Sequence, residues 1–400
     1  MKTYLRVAVI PVFLEEGSPS MDLVAARLVE NLREHHGSSI RVETVRPAFV
    51  RRFSRPRILG RFGFNADRLL NRMFDYPRFL KRVCGEFDIF HLIDHSYSQL
   101  VHVLPQGRTL VTCHDLDTFR SVLEPDLEPR SMAFRAMTTR ILDGLRSAAM
   151  VACNTNNTRA ELLKYSVMPP ERLAVIHYGI DPIFSPEPDS KADRALERLL
   201  GPKGSDTVEL LHVGSTIPRK RIDILLRVFA LVRKTYPTAK LIRVGREFTN
   251  EQRELVQELN LENAIRAFPR LSPAEIAPFY RRASLTLLTS DREGFGLPII
   301  ESMACGTPVV CSDIPATHEA GGDEAEYCPA ADISAWSDSV IRMLREREEN
   351  TEPCTARRNA RIARARKFSW IQHAHKVASL YNQIGGESDS AETLMGTIGR

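Results

Sequence analysis

Two carboxylates separated by seven residues bracket a glycine-rich turn in Glu293-Gly294-Phe295-Gly296-Leu297-Pro298-Ile299-Ile300-Glu301. The apolar run Leu285–Thr289 precedes the turn, and a helix is expected after it. Pro298 suits the first helical turn, which sets Glu301 about one turn inside and leaves Glu293 in the loop. Gly294 and Gly296 let the backbone approach a ligand closely. The amides of Gly294, Phe295, Gly296 and Leu297, with the helix start behind them, can then face an anion. An anion site flanked by two acids calls for a ligand with both phosphate and hydroxyl groups. A nucleotide-sugar has both: phosphates for the amides, sugar and ribose hydroxyls for the carboxylates. The bland alternative is an ordinary strand–helix turn with a capping acid. The second carboxylate at this spacing and the following Ala304-Cys305-Gly306-Thr307-Pro308-Val309-Val310 weigh against it.

A second element is His212-Val213-Gly214-Ser215-Thr216-Ile217-Pro218-Arg219-Lys220-Arg221-Ile222-Asp223. It reads as strand, glycine turn and helix start. Three cations at a helix mouth suit a diphosphate, and a fixed lysine stabilises a leaving diphosphate most as its charge builds. A solvated basic helix start is the alternative. A third element, Thr112-Cys113-His114-Asp115-Leu116, closes an apolar run, and open α/β sheets bind ligands at the carboxyl ends of their strands. His114 is either a ligand contact or a satisfied structural histidine. His91, Asp94 and His95 follow another run, where a structural role is favoured over an acceptor-lining one.

The elements that must position these groups alternate. Candidate strands are Leu5–Phe13, Asp88–Leu92, Thr109–Cys113, Met150–Cys153, Ala174–His177, Glu209–Val213, Lys240–Val244, Ile265–Phe268, Leu285–Thr289 and Pro308–Cys311. They are short, rich in Val, Ile and Leu, and mostly lack strict alternation, as parallel strands covered on both faces do. Amphipathic helices are expected between them, over Met21–His35 and Arg221–Tyr236, and after the capping box Ser272-Pro273-Ala274-Glu275. The alternation predicts a doubly wound α/β fold. Asp181–Gly204, rich in proline and charge, reads as the link between two such domains. A final helix is expected from Ser369 to about Ile384, followed by a small, polar, disordered tail.

With 400 residues, the chain exceeds a single ordinary core at roughly 150 residues per domain. Apolar residues make up 43% and charged residues 26%, as in soluble globular proteins. No run is apolar enough for a membrane-spanning helix. Seven scattered cysteines with no C-x-x-C pair argue against a disulfide framework or a zinc site. The charge is uneven. Arg46–Arg82 holds eleven Lys/Arg and two acids, a net +9, while the whole chain is +5 and the remainder therefore −4. The same segment holds six phenylalanines and Tyr76. It is either a solvated loop and helix pair that packs its rings inward, or an attachment surface for an anionic membrane or an anionic acceptor. Nucleic acid is not expected as a partner, because no binding motif accompanies the charge.

In combination, these motifs resemble the E-x7-E signature of the family-4 retaining glycosyltransferases, which have the GT-B fold. The resemblance covers roughly Val208–Cys328 and is weaker in the first half. It implies two facing Rossmann-like doubly wound domains with an interdomain cleft. The acceptor-side domain would span 1–183 and the nucleotide-sugar donor domain 205–368, with a helix over 369–384 crossing back and a disordered tail over 385–400. It implies transfer of a hexosyl unit, with retention, from a nucleoside-diphosphate sugar to a hydroxyl of a glycan or lipid-linked acceptor, as in polysaccharide biosynthesis. Glu293, Lys220 and His114 would be catalytic, His114 reaching the donor sugar. Gly214, Ser215, Arg219, Gly294, Phe295, Gly296, Leu297 and Glu301 would bind the donor. Ser215 stands where many members have arginine, and Arg219 is expected to supply that guanidinium. Tyr178-Gly179-Ile180-Asp181 resembles the family's Asn-Gly-Val-Asp segment, with Tyr178 replacing asparagine. The glycine-rich turn usual after the first strand is reduced to Gly17. No cofactor is implied, and no metal requirement is expected, on the reading that no aspartate-x-aspartate metal motif appears in the chain. A cytoplasmic protein, peripheral on the inner face of the membrane, is expected. The alternatives are a GT-B nucleotide-sugar epimerase and a non-catalytic nucleotide-sugar binder. A phosphorylase would need a pyridoxal phosphate lysine and a longer chain. A dinucleotide-binding dehydrogenase would need G-x-G-x-x-G after the first strand.

Overall fold

The computed structural model describes residues 4–54, 60–204, 207–349 and 351–398. Two compact units divide the chain: Met1–Gly179 with Trp370–Arg400, and Ile180–Ser369. Each is built on one six-stranded sheet, and every strand pairing in both sheets is parallel.

Unit 1 contains β1 (Leu5–Ile10), β2 (Ile40–Thr44), β3 (Ile89–Leu92), β4 (Thr109–Cys113), β5 (Met150–Cys153) and β6 (Leu173–Val175), in the order β2-β1-β3-β4-β5-β6. Unit 2 contains β7 (Glu209–Gly214), β8 (Lys240–Gly245), β9 (Ile265–Phe268), β10 (Leu285–Leu288), β11 (Val309–Ser312) and β12 (Glu326–Cys328), in the order β12-β11-β10-β7-β8-β9. Counted from β7, the second sheet runs 3-2-1-4-5-6, the dinucleotide-fold order, which reverses direction between its first and fourth strands. That reversal lies between β7 and β10. In unit 1 it lies between β1 and β3. The central strands β3, β4, β5, β10 and β11 are buried along their whole length, so both of their faces carry core.

The expected helices form over Pro19–His36, Ile222–Thr235 and Pro273–Arg282. In the last, the Ser272 N–H donates to Glu275 Oε2 at 2.8 Å, closing the capping box. Asp181–Gly204 folds into unit 2 rather than spanning a gap. Its helix Ser190–Leu200 is capped by Asp189, and Asp193 pairs with Arg281 at 2.6 Å. The final helix starts at Trp370 and runs as one backbone helix to Ile398, past the expected end near Ile384. It packs on unit 1, where Tyr381 Oη lies 2.7 Å from His91 Nδ1. The helix passes through Gly385-Gly386 although each glycine costs ~1 kcal/mol relative to alanine. Side chains beyond Gly386 lie outside the described residues.

The basic, aromatic segment is a folded part of unit 1. A helix over Gly60–Leu70 passes through a π turn at Asn71–Asp75 into a helix over Tyr76–Val83. Tyr76 is fully buried, with its hydroxyl donating to the Pro11 and Val45 carbonyls, and Phe49 meets Phe13 edge-on at 5.3 Å. Asp67 accepts from the Arg52, Phe53 and Ser54 amides and the Ser54 hydroxyl. Those bonds outweigh the cost of its burial and hold its carboxyl at about 2. Phe62, Leu69 and Phe74 face outward instead. Among the described residues no helix is long and apolar enough to cross a membrane.

Candidate active site

In unit 2, β7 and β10 are neighbours, so the loops after them leave the sheet side by side at the point where strand order reverses. This adjacency brings Lys220 and Glu293 together across 73 residues of sequence. Lys220 ends the short 3-10 turn Pro218–Lys220. Its Nζ lies 2.5 Å from Glu293 Oε1, and the Ser290 hydroxyl donates to the same oxygen at 2.6 Å. Arg219 approaches Oε2 at 3.9 Å. The side chains of Lys220 and Glu293 are 11% and 7% exposed. Burial alone would raise the Glu293 carboxyl, but Lys220 and Arg219 outweigh it and hold the group below the usual range, hence ionised.

The two loops are further stitched by backbone. Asp291 N–H donates to the Arg219 carbonyl at 2.8 Å, Arg219 donates to the Arg292 carbonyl at 2.8 Å, and the Thr289 hydroxyl donates to the Lys220 and Arg221 carbonyls. Arg221 takes a left-handed conformation (φ 46°) to start its helix and bridges Asp223 and Asp291.

The glycine turn delivers the helix Leu297–Ala304, capped by Gly296 at φ 95°. Phe295 is buried and meets Phe368 edge-on at 5.5 Å, which anchors the loop by its side chain. Gly214 pairs with Gly245 in the β7–β8 register, and Gly245 has φ 146°. A Cβ on Gly245 would stand 1.8 Å from the Gly214 carbonyl oxygen, so only glycine fits there. Ser215 is half-buried in the following loop.

Glu301 sits inside the helix as the spacing predicts, and the Tyr280 hydroxyl donates to its Oε2 at 2.6 Å. Burial, helped by nearby Asp181, pushes the carboxyl up to about 7 against the pull of that hydrogen bond. The two acids of the motif thus differ: Glu293 is locked as an anion, and Glu301 titrates near neutrality.

In unit 1, His114 follows β4 and is buried. Its Nε2 lies 2.7 Å from the Ile93 carbonyl, and its Nδ1 meets the Tyr178 hydroxyl. Burial holds the imidazole below its ordinary pKa, so it is neutral. Asp115-Leu116-Asp117 has aspartate-x-aspartate spacing, yet Asp115 Oδ1 accepts the Asp117 N–H at 3.0 Å, a turn-closing bond. His91 is satisfied by Tyr381 and by Thr112 at 2.8 Å, a structural role. Asp94 caps the helix His95–Val103 by accepting from Ser96 N–H.

The sequence matches the family model described as glycosyl transferases group 1 over residues 199–366, and that of glycosyltransferase family 4 over residues 22–184. The chain belongs to these glycosyltransferases. It is 29% identical over 249 residues to a D-inositol 3-phosphate glycosyltransferase of Thermobispora bispora, covering 59% of this chain and 56% of that one. It is 28% identical over 284 residues to the O-antigen chain mannosyltransferase B of Escherichia coli, covering 69% and 71%. Its fold is similar to that of Anabaena HepE, solved with UDP and glucose: TM-score 0.69, 16% identity, 95% of this chain and 100% of that one. Two α/β units on six-stranded parallel sheets are the GT-B architecture of this family.

Three side-chain pairings in this glycosyltransferase escaped the sequence reading, which noted Tyr178 only as a replacement for asparagine. Ser290 sits three residues before Glu293 and buttresses it. Tyr280 sits where the sequence shows only an apolar helix stripe. Tyr178 meets His114 from 64 residues away. A hydroxyl-bearing residue near a motif acid was the available signal for Ser290. Nothing in local spacing marks the other two.

Proposed function

We propose that this glycosyltransferase moves a hexosyl unit, with retention, from a nucleoside-diphosphate sugar to a hydroxyl of a glycan or lipid-linked acceptor. The observation that carries this reading is the buried Lys220–Glu293 pair at the β7/β10 reversal, beside the Gly296-capped helix. Lys220, with Arg219, stabilises the departing diphosphate. An ammonium has three donors, and the Glu293 contact uses one. Gly214, Ser215 and the backbone of Gly294, Phe295, Gly296 and Leu297 hold the phosphates and sugar. Glu301 accepts from the ribose hydroxyls, and His114 is the unit 1 residue assigned to the sugar.

The partners of Glu293 support a retaining reaction in this reading. A carboxylate tied to an ammonium and a serine hydroxyl is a poor nucleophile and a poor base. The C1–O bond to the diphosphate then breaks as the acceptor oxygen adds on the same face. The acceptor proton passes to a phosphate oxygen of the leaving group.

Thermal-shift screening against UDP-, GDP- and ADP-sugars identifies the donor, since a ligand that binds only the native state raises Tm. Proton NMR of the fresh product with that donor and an acceptor panel then reads the anomeric configuration. Inversion would overturn the mechanism. An acceptor-independent epimer would replace transfer by epimerisation, and binding without turnover across the panel would favour a scaffold. In this reading the exposed cations and aromatics among the described residues of 46–82 support attachment of the acceptor side of unit 1 to an anionic membrane surface at the cytoplasmic face.

A further inference from the structure

Tyr178 follows β6 and is nearly fully buried. Its ring stacks on Trp370 with centroids 5.8 Å apart and planes at 30°, and lies 5.8 Å from the His373 ring. The next residue, Gly179, has no room for a side chain, because a Cβ there would stand 2.1 Å from the Trp370 nitrogen. The tyrosine is therefore clamped, and its hydroxyl reaches His114 Nδ1. On the far side of the ring, His114 Nε2 faces the Ile93 carbonyl oxygen at 2.7 Å. A carbonyl only accepts, so Nε2 carries the hydrogen. A neutral imidazole has one N–H, so Nδ1 is the bare nitrogen and the Tyr178 hydroxyl donates to it. Burial keeps the imidazole neutral and raises the phenol well above its ordinary pKa, so the donor is present at all working pH values.

We propose that Tyr178 is a positioning residue that fixes His114 as the Nε2–H tautomer, so that His114 meets substrate oxygen only as a donor and never as a base. The proposal rests on the reading of His114 as a sugar contact. An oxygen that displaces the Ile93 carbonyl, or shares its hydrogen, finds an N–H. Removing the phenol hydroxyl leaves Nδ1 as a buried acceptor without a partner, which favours ring rotation or protonation.

The test uses the full chain labelled with 15N-histidine and a long-range 1H–15N spectrum, with no ligand added. The His114 signals are identified by their loss in His114→Gln. The wild type should show one neutral tautomer, with Nε2 protonated and Nδ1 bare, unchanged between pH 6 and 8. Tyr178→Phe, which keeps the stacking ring, should give mixed or titrating His114 signals. Its kcat should fall about tenfold with little change in donor KM. A wild-type ring protonated on Nδ1, or charged, overturns the proposal, and so does an unaltered His114 spectrum in Tyr178→Phe. The wild-type spectrum decides the tautomer even if the variant fails to fold. If the spectra behave as expected but His114→Ala turns over normally, the sugar contact fails and the tautomer lock stands.

Discussion

The two units solve one topological problem with opposite chemistry. Each sheet reverses strand order once, and each gathers its polar residues at the carboxyl ends of the strands near that point. In unit 2 the loops after β7 and β10 hold fixed charge: an ionised Glu293 between Lys220 and Arg219. In unit 1 the groups after β3 and β4 include a neutral His114 satisfied by a carbonyl and a phenol. Unit 2 therefore concentrates fixed charge at this point, whereas His114 of unit 1 is a buried, uncharged ring. Under the proposed function, that difference would give the diphosphate to the charged strand ends of unit 2.

The sharpest way to break this contrast is to neutralise the fixed anion. Glu293→Gln keeps an oxygen for Lys220 and Ser290 but loses the charge. Turnover should fall at least ~10²-fold, the loss of about 2.7 kcal/mol of transition-state stabilisation. Unchanged kinetics in a protein with native Tm would strike Glu293 from the catalytic set. Lys220→Ala comes next. It should weaken nucleoside-diphosphate binding about tenfold by titration calorimetry, or ~1.4 kcal/mol. It should also cost about 3 kcal/mol of stability, because Glu293 is left as a buried charge met only by the Ser290 hydroxyl and by Arg219 at 3.9 Å. The double variant Lys220→Met, Glu293→Gln should recover most of that stability without recovering binding. If stability fails to recover, the cost does not come from the unmatched Glu293 charge.

How much of this was legible in the sequence follows the same division. Motif loops announce themselves by composition, so the turn at Gly294–Gly296 and the basic helix mouth were readable. The central strands were too, because burial on both faces demands unbroken Val, Ile and Leu. The two strands missed, β2 and β12, are both sheet edges. Ile40-Arg41-Val42-Glu43-Thr44 alternates with charge because its exposed positions face water, and Glu326–Cys328 is only three residues long. Pairings between loops were not readable. Lys220 meets Glu293 only because β10 lies beside β7, and no spacing along the chain encodes that. The pairings of Tyr280 and Tyr178 were hidden for a simpler reason. A buried tyrosine looks like core until the position of its hydroxyl is known.

A smaller effect separates the two acids of unit 2. Glu301 has a folded-state pKa of about 7 against an ordinary 4.5. A raised carboxyl favours the folded state fully below about pH 4.5, and that advantage is lost as pH rises to about 7. Glu301→Gln should therefore raise stability relative to wild type at pH 8 and not at pH 4, by denaturant melts. The ionised carboxylate is also the better acceptor for ribose hydroxyls. Nucleoside-diphosphate affinity should rise roughly three- to tenfold from pH 6 to pH 8 in the wild type, beyond the rise in Glu301→Gln. Tyr280→Phe removes the hydrogen bond that favours ionisation and should move the midpoint upward. Identical pH profiles in wild type and Glu301→Gln would remove Glu301 from the nucleotide site.

The gentlest test asks whether unit 1 carries a second surface that unit 2 lacks. Among the described residues, ten large apolar side chains with substantial exposure lie in unit 1 and three in unit 2. Phe62, Leu69 and Phe74 are 85%, 47% and 51% exposed, and Phe62 and Leu69 stand seven residues apart on one helix. Exposed Arg68, Arg78, Lys81 and Arg82 accompany them, while Arg55 and Arg57 lie outside the described residues. Arg52 is tied up with Asp75 at 2.8 Å, so it is a poor choice for substitution. Cations near an anionic bilayer contribute about 1 kcal/mol each, so each change to glutamine should lower vesicle partitioning roughly fivefold. Binding should appear on anionic vesicles, be absent on neutral ones, and weaken with salt. Phe62→Ser should lower it at every salt concentration, since the ring enters the interface independently of charge. None of these changes should alter Tm or nucleoside-diphosphate affinity, because the surface is far in sequence and chemistry from the Lys220–Glu293 pair. A wild type that ignores anionic vesicles at low salt would return the segment to a soluble-acceptor or purely structural role and leave the contrast to the strand ends alone.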